Sequence, residues 1–280
     1  MYYRPKSLTD ALVAIASKDH TIVAGGTDLY AQSTAATPQH NLMDISGLPE
    51  LIGFSRTSNE FRVGAATTWD AIANLKGPHC IGALVQAAGS IGSRHIQLRG
   101  TIGGNVCNAS GAADGLPPLL VSRARLEIRS STRTRFATVE EFLSAAREVR
   151  LARNELIIAV LIPSQHSRTV SLFDKIGIRR HNALSIVMAA VELSFDEREA
   201  ARVGIAVGAA APSVRRLYGL ERRLEDCPDV LSQAPVRLSD LSELSPIDDI
   251  RGTARYRLFA IRSMLNRLLA RTMVAKDLIQ

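Results

Sequence analysis

The sequence is poor in cysteine and in aromatic residues. Its three cysteines, Cys80, Cys107 and Cys227, are scattered over 280 residues. An odd number without C-x-x-C spacing excludes a disulfide framework and a thiolate metal site. Aromatics make up 5%, and the cations run from Arg4 to Lys276 without gathering. A formal net charge of +7, from 34 basic and 27 acidic residues, therefore indicates a solvated surface or a docking face for a more acidic subunit, and not a nucleic-acid site. No apolar run approaches the roughly 18 residues of a membrane span. Met1-Tyr-Tyr-Arg-Pro-Lys lacks the apolar stretch of a secretory signal, so a cytoplasmic protein is expected. Neither G-x-G-x-x-G, G-x-x-x-x-G-K-[ST] nor H-E-x-x-H occurs. Ala88-Gly89-Ser90-Ile91-Gly92 misses the first glycine of a nucleophile elbow, which leaves Ser-His-Asp hydrolysis unsupported.

What is present is ordinary globular material. Hydrophobic residues are 46% and charged residues 22%, enough for a substantial core, and the length fits one large domain or two ordinary ones. Ser7 to Ala16 shows helical spacing of Leu8, Leu12 and Ile15, with Ser7 or Thr9 as N-cap. Short strands are expected at Thr21–Ala24, Asn41–Ile45 and Phe61–Ala65, and Leu29 to Ala35 reads as helix. This order suggests β–α–β units with parallel pairing. Residues 66 to 90 read as mostly helical, with Thr68 capping. Leu119–Val121 and Val139–Ala145 are expected helices, and Ala124–Arg129 and Glu155–Ile162 expected strands. From residue 170 an antiparallel set is expected at Leu172–Ile178, Ala183–Leu193 and Val203–Ala210. Helices at Ser213–Leu224 and Thr253–Met273 follow, with a boundary near 163–170.

Two glycine loops interrupt this pattern. Ala24-Gly25-Gly26-Thr27-Asp28-Leu29 joins a strand to a helix. Paired glycines allow close backbone approach to a ligand, and successive N–H groups can converge on an anion. A tight turn with Thr27 or Asp28 as helix caps reads equally well. The second stretch, Gly89 to Gly115, contains seven of the 19 glycines, and its centre runs from Arg99 to Asp114. It is expected to be a long irregular segment, of the kind that is usually functional. Together the loops suit a ligand with a pyrophosphate, hydroxyls and a hydrogen-bonding ring. Without a Rossmann motif, the candidate is a flavin.

Ala24-Gly-Gly-Thr-Asp-Leu29, Arg99-Gly-Thr-Ile-Gly-Gly-Asn105, Asn108-Ala-Ser110, Ala112-Ala-Asp114 and Pro117-Pro118 resemble the FAD-binding medium subunit of the molybdenum hydroxylases. Tyr3-Arg-Pro-Lys-Ser-Leu, Phe173-Asp-Lys175, Arg179-Arg180 and Gly204-Ile-Ala-Val-Gly-Ala-Ala-Ala-Pro212 match as well, so the resemblance covers essentially the whole chain. It implies an α+β fold. A two-subdomain FAD-binding domain of the vanillyl-alcohol-oxidase (PCMH) type would span 1–168, with subdomains at about 1–56 and 57–168. A C-terminal domain of the CO dehydrogenase flavoprotein type, an antiparallel sheet with helices, would span 169–280.

The resemblance also implies roles. Val23, Ala24, Gly25, Gly26, Thr27, Asp28 and Leu29, with Thr101, Ile102, Gly103, Gly104 and Asn105, would hold the diphosphate and ribityl region of FAD. Gly103 and Gly104 would be required because a Cβ would fill diphosphate space or forbid a positive φ. Ser110 and Asp114 would hydrogen-bond the cofactor, and Lys175 would stabilise an anionic reduced ring; alone, such a lysine reads as a surface cation. No catalytic or metal residue is implied in this chain. FAD would be non-covalent, although Cys107 and His95 are close enough to the second loop to carry a tether. A molybdenum cofactor in a large subunit and [2Fe–2S] clusters in a small subunit would complete an oxidoreductase, as a dimer of heterotrimers. The family usually has Pro at Gly111, whose replacement should loosen the loop, and often Arg-Asn at Gln97-Leu98, where Gln97 removes a charge. No cysteine-bearing insertion is present, which sets aside the 4-hydroxybenzoyl-CoA reductase branch. The alternatives are a free-standing flavin oxidoreductase of the vanillyl-alcohol-oxidase type and a non-catalytic assembly module.

Overall fold

The computed structural model describes residues 1–32, 41–145, 147–164, 168–179, 184–195, 201–226 and 236–277. Residues 33–35 of the expected second helix, the linker residues 165–167, Arg180, Ala183 and Cys227 lie outside them. The N-terminal layer begins with β1 (Tyr2–Tyr3) and α1 (Leu8–Ser17). Ser7 caps α1 by accepting from the Asp10 N–H, and Leu8, Ala11, Leu12 and Ile15 form its buried face. Then come β2 (Thr21–Val23), α2 (Thr27–Gln32) and β3 (Leu42–Asp44). β1 and β2 flank β3, both parallel to it, as helical crossovers require.

The middle of the chain contributes β4 (Phe54–Arg56), β5 (Glu60–Gly64), α3 (Trp69–Ala73), α4 (Gly82–Ser90), α5 (Arg94–Arg99), α6 (Ile102–Asn108) and α7 (Leu116–Val121). It continues with β6 (Arg125–Arg129), β7 (Thr134–Thr138), α8 (Val139–Phe142), a hairpin of β8 (Leu143–Ala145) and β9 (Glu148–Val149), and β10 (Leu156–Pro163). Five strands form one antiparallel sheet in the order β4-β5-β10-β6-β7. β10 is its spine and serves two cores. Leu156 and Ile158 pack into the N-terminal core, whereas Ile157, Val160 and Ile162 join the central one. A bulge between Ile157 and Ala159 explains the change from odd to even positions, because one extra residue reverses which face each later side chain meets.

The C-terminal region has β11 (Arg168–Gly177), β12 (Ser185–Phe195), β13 (Ala201–Gly208), β14 (Arg215–Arg216), α9 (Tyr218–Asp226) and α10 (Ala254–Asp277). The four strands form an antiparallel sheet in sequence order. Val187, Ala189, Val191 and Leu193 pack with Ile261, Leu265, Leu268 and Leu269 of α10 in one core. Met188 and Ala190, on the opposite face, join the central core with Leu84 of α4 and Leu119 of α7. Among the described residues no helix is long and apolar enough to cross a membrane.

Three expectations change. The second glycine stretch is not an irregular loop: Thr101 caps a helical turn at the Gly104 N–H, and Ile102 and Val106, both fully buried, anchor α6 one turn apart. Leu143–Ala145 is strand instead of helix, because it pairs with β9 across a turn in which Arg147 has φ +59°. Arg215 and Arg216 extend the sheet edge beside β13, so the helix expected from Ser213 begins only at Tyr218.

Candidate functional site

A cavity of about 480 Å³ opens where the two glycine stretches meet, within the roughly 300–1,000 Å³ usual for small-molecule clefts. Ala24 to Leu29 form one wall; Thr101, Gly103, Gly104, Asn105, Ser110 and Asp114 form another. The stretches touch backbone to backbone, since a side chain at Gly25 would overlap the Arg99 carbonyl. Gly26 has φ +71°, a conformation glycine adopts without steric cost.

The two walls differ chemically. The N–H groups of Gly25, Gly26, Thr27, Asp28 and Leu29 donate to no acceptor among the described residues. Neither does Thr27 or Asp28 use its side chain as a cap, so this wall offers a row of donors to a ligand. In α6, by contrast, the first N–H groups are already used. Ile102 donates to Thr67 O, Gly103 to Ala65 O, Gly104 to Thr101 Oγ1 and Asn105 to Thr101 O. That wall offers space and side chains instead. A Cβ on Gly104 would meet only Thr101 Oγ1, at 3.0 Å, whereas one on Gly103 would lie 2.7 Å from Ala65 O. Both glycines are helical, without positive φ. The requirement expected at Gly103 is therefore core packing, not room for a ligand. Asn105 Oδ1 is buried without a hydrogen-bond donor, and such an orphan usually indicates a missing partner.

The acidic end of the site is built across the two halves of the chain. Lys175 on β11 donates from Nζ to Asp114 Oδ2 at 2.6 Å and to Ser90 O at 2.9 Å. Ser185 on β12 donates to Asp114 Oδ1 at 2.6 Å. Burial pushes the Asp114 carboxyl above the ordinary range, and the Lys175 charge opposes the shift. Lys175 is thus a largely buried ion-pair partner and not a surface cation. Its side chain stands behind Asp114, outside the cavity lining, and Val23 and Ile102 are core residues.

Several wall residues escape sequence reading. Trp69 donates its backbone N–H to Gly100 O, and its ring lies against Gly100 and Gly115. As the one tryptophan it could have been singled out. Arg147, which donates to Asn108 Oδ1, and Leu184 carry no such signal. The departures noted at Gln97 and Gly111 have structural roles. Gln97 Nε2 donates to Gly89 O and Ile91 O at the end of α4. Gly111 is held by the Ala209 N–H and crowded by Pro212 O, 2.5 Å from where a Cβ would stand. The loop is clamped there, contrary to the loosening expected.

Residues 1–165 match the family described as FAD binding domain in molybdopterin dehydrogenase, and residues 173–272 match the CO dehydrogenase flavoprotein C-terminal domain. The chain is 28% identical to the xanthine dehydrogenase FAD-binding subunit of Escherichia coli O157:H7, over 98% of this chain and 96% of that one. It is 24% identical to the carbon monoxide dehydrogenase medium chain of Hydrogenophaga pseudoflava, over 96% and 95%. Quinoline 2-oxidoreductase from Pseudomonas putida 86 superposes with a TM-score of 0.85 at 22% identity, covering 98% of this chain and 97% of that one. With a family match over well more than half its length, the chain belongs to the FAD-binding flavoprotein subunits of the molybdopterin dehydrogenases, a family of oxidoreductases.

Proposed function

We propose that this chain holds FAD non-covalently as the flavin subunit of a cytoplasmic molybdenum hydroxylase. The observation that supports this most directly is the row of five N–H groups from Gly25 to Leu29, in residues that line the cavity, without an acceptor among the described residues. A diphosphate supplies acceptors that such a row needs. Gly104 leaves its Cα side open beside it, and Asn105, Ser110 and Asp114 provide polar groups for hydroxyls and a ring. The bound flavin would take electrons from [2Fe–2S] clusters and pass them to an external acceptor.

Those clusters belong in a small partner subunit, because three cysteines are fewer than the four thiolates of one such cluster. Relatives named as a medium chain or medium subunit support a large molybdopterin-binding partner too, and we assign a dimer of heterotrimers. The flavin domain would span residues 1–168 and the C-terminal domain 169–280.

The test is direct. The purified chain titrated with FAD should quench flavin fluorescence, and acid precipitation should leave the pellet colourless. A folded chain without FAD affinity would overturn the reading, and yellow colour retained on the pellet would overturn non-covalent binding. Without its partners, the chain should not hydroxylate any purine, aldehyde or N-heterocycle.

A further inference from the structure

β12 has an irregularity of its own. Ile176 pairs with Val187 but Gly177 pairs with Ser185, so Ile186 is an extra residue in the ladder. Without that bulge, Ser185 would share a face with Val187, Ala189 and Val191, which pack toward α10. With it, Ile186 takes that side and Ser185 turns the other way, where its Oγ meets Asp114. Re-aiming one side chain is what bulges do. Two arginines brace the irregular backbone. Arg251 Nη1 donates to Ser185 O at 3.4 Å, and Arg257 Nη1 donates to Ile186 O. Both pair with Asp249, which offsets one of their two charges.

We propose that Ser185 is a positioning residue of the flavin site, aimed by the bulge so that its hydroxyl fixes the Asp114 carboxylate at the cavity wall. With Oδ2 held by Lys175 and one lone pair of Oδ1 taken by Ser185, the remaining acceptor capacity of Asp114 is directed to a donor in the cavity. Such an N–H or O–H belongs to a ribityl chain or a flavin ring. The proposal rests on the FAD reading above. The Ser185 hydrogen bond also favours the charged form of Asp114, opposing the effect of burial. Lys175, from β11, is the charged group that acts on Asp114. Behind Ser185, the Arg251–Asp249–Arg257 cluster meets the strand's carbonyls.

The experiment is FAD titration of the full chain between pH 5 and 9. Affinity in the wild type should fall on the acid side as Asp114 takes up a proton. Ser185→Ala should move that fall upward by about one pH unit, the size expected for one lost charge-assisted hydrogen bond. Asp114→Asn should abolish the acid limb, and adding Ser185→Ala to it should change the profile no further. A Ser185→Ala chain whose affinity is unchanged, or weakened by one factor at every pH, overturns the positioning role while leaving FAD binding intact. A wild-type chain that binds no FAD at any pH overturns both.

Discussion

Two adjacent glycines in α6 separate ligand space from protein packing. Gly103 faces the end of β5 at Ala65, and Gly104 faces the cavity. Gly103→Ala should therefore behave as overpacking, lowering stability by about 1–3 kcal/mol. Gly104→Val should leave the melting temperature near the wild-type value while weakening FAD at least tenfold. Measuring both quantities on both variants checks the assignment, and unchanged FAD affinity in folded Gly104→Val would remove Gly104 from the site. The Gly-Gly pair was legible in the sequence as a place of close approach. Which member approaches what was not, because the answer depends on Ala65, far away in the chain. Asp114 and Lys175 were legible singly through the resemblance. Their ion pair was not, nor was Ser185, whose direction is set by a strand irregularity that leaves no mark in residue type.

At the scale of elements, periodicity found the long ones. α1, β6, β10 to β13 and α10 fall close to where apolar spacing puts them. The failures are short elements settled by a neighbouring strand: β4, β7 and the β8–β9 hairpin exist through pairing, not propensity. One buried carboxylate fastens β7 beside the start of β10. Glu155, at the start of β10, accepts from Arg135 at 2.8 and 2.7 Å, from Arg133 at 3.2 Å, and from the Ala152 N–H at 3.1 Å. The Arg135 hydrogen bonds, with help from the other donors, hold its pKa at about 2, below the ordinary 4.5. A depressed carboxylate contributes stability that is present above pH 4.5 and lost as pH falls through 2. Glu155→Gln should remove on the order of 3 kcal/mol at neutral pH and flatten the acid limb of a stability–pH curve. An unchanged acid limb in that variant would show that Glu155 does not hold the hairpin side of the sheet.

Across the whole molecule, the C-terminal sheet lies between α10 on one face and α4 and α7 on the other, and this second face buries a carboxylate. Glu192 of β12 is 7% exposed, and burial pushes its pKa up to about 8, against the pull of Arg123 and Arg216. For a raised carboxylate the contribution of protonation to stability is fully present below pH 4.5 and is lost as pH rises through 8. Glu192→Gln should match the wild type near pH 5 and exceed its stability by a few kcal/mol, on the order expected for such a shift, near pH 9. Thermal melts across that range check it, and parallel curves for the two proteins would count against a buried, neutral Glu192. The resemblance made the two-part plan legible, but not that the parts share apolar cores. The bulge in β10 has a consequence for anyone dissecting the chain. Because Leu156 and Ile158 form part of the floor beneath α1 and β3, a fragment ending near residue 56 would keep its helices' apolar faces and lose what covers them. It should be recovered as aggregate. A fragment running through Pro163 restores that floor but still bares the faces of α4 and α7 that the C-terminal sheet covers, so it too should aggregate, and only a chain that includes that sheet should be recovered in solution.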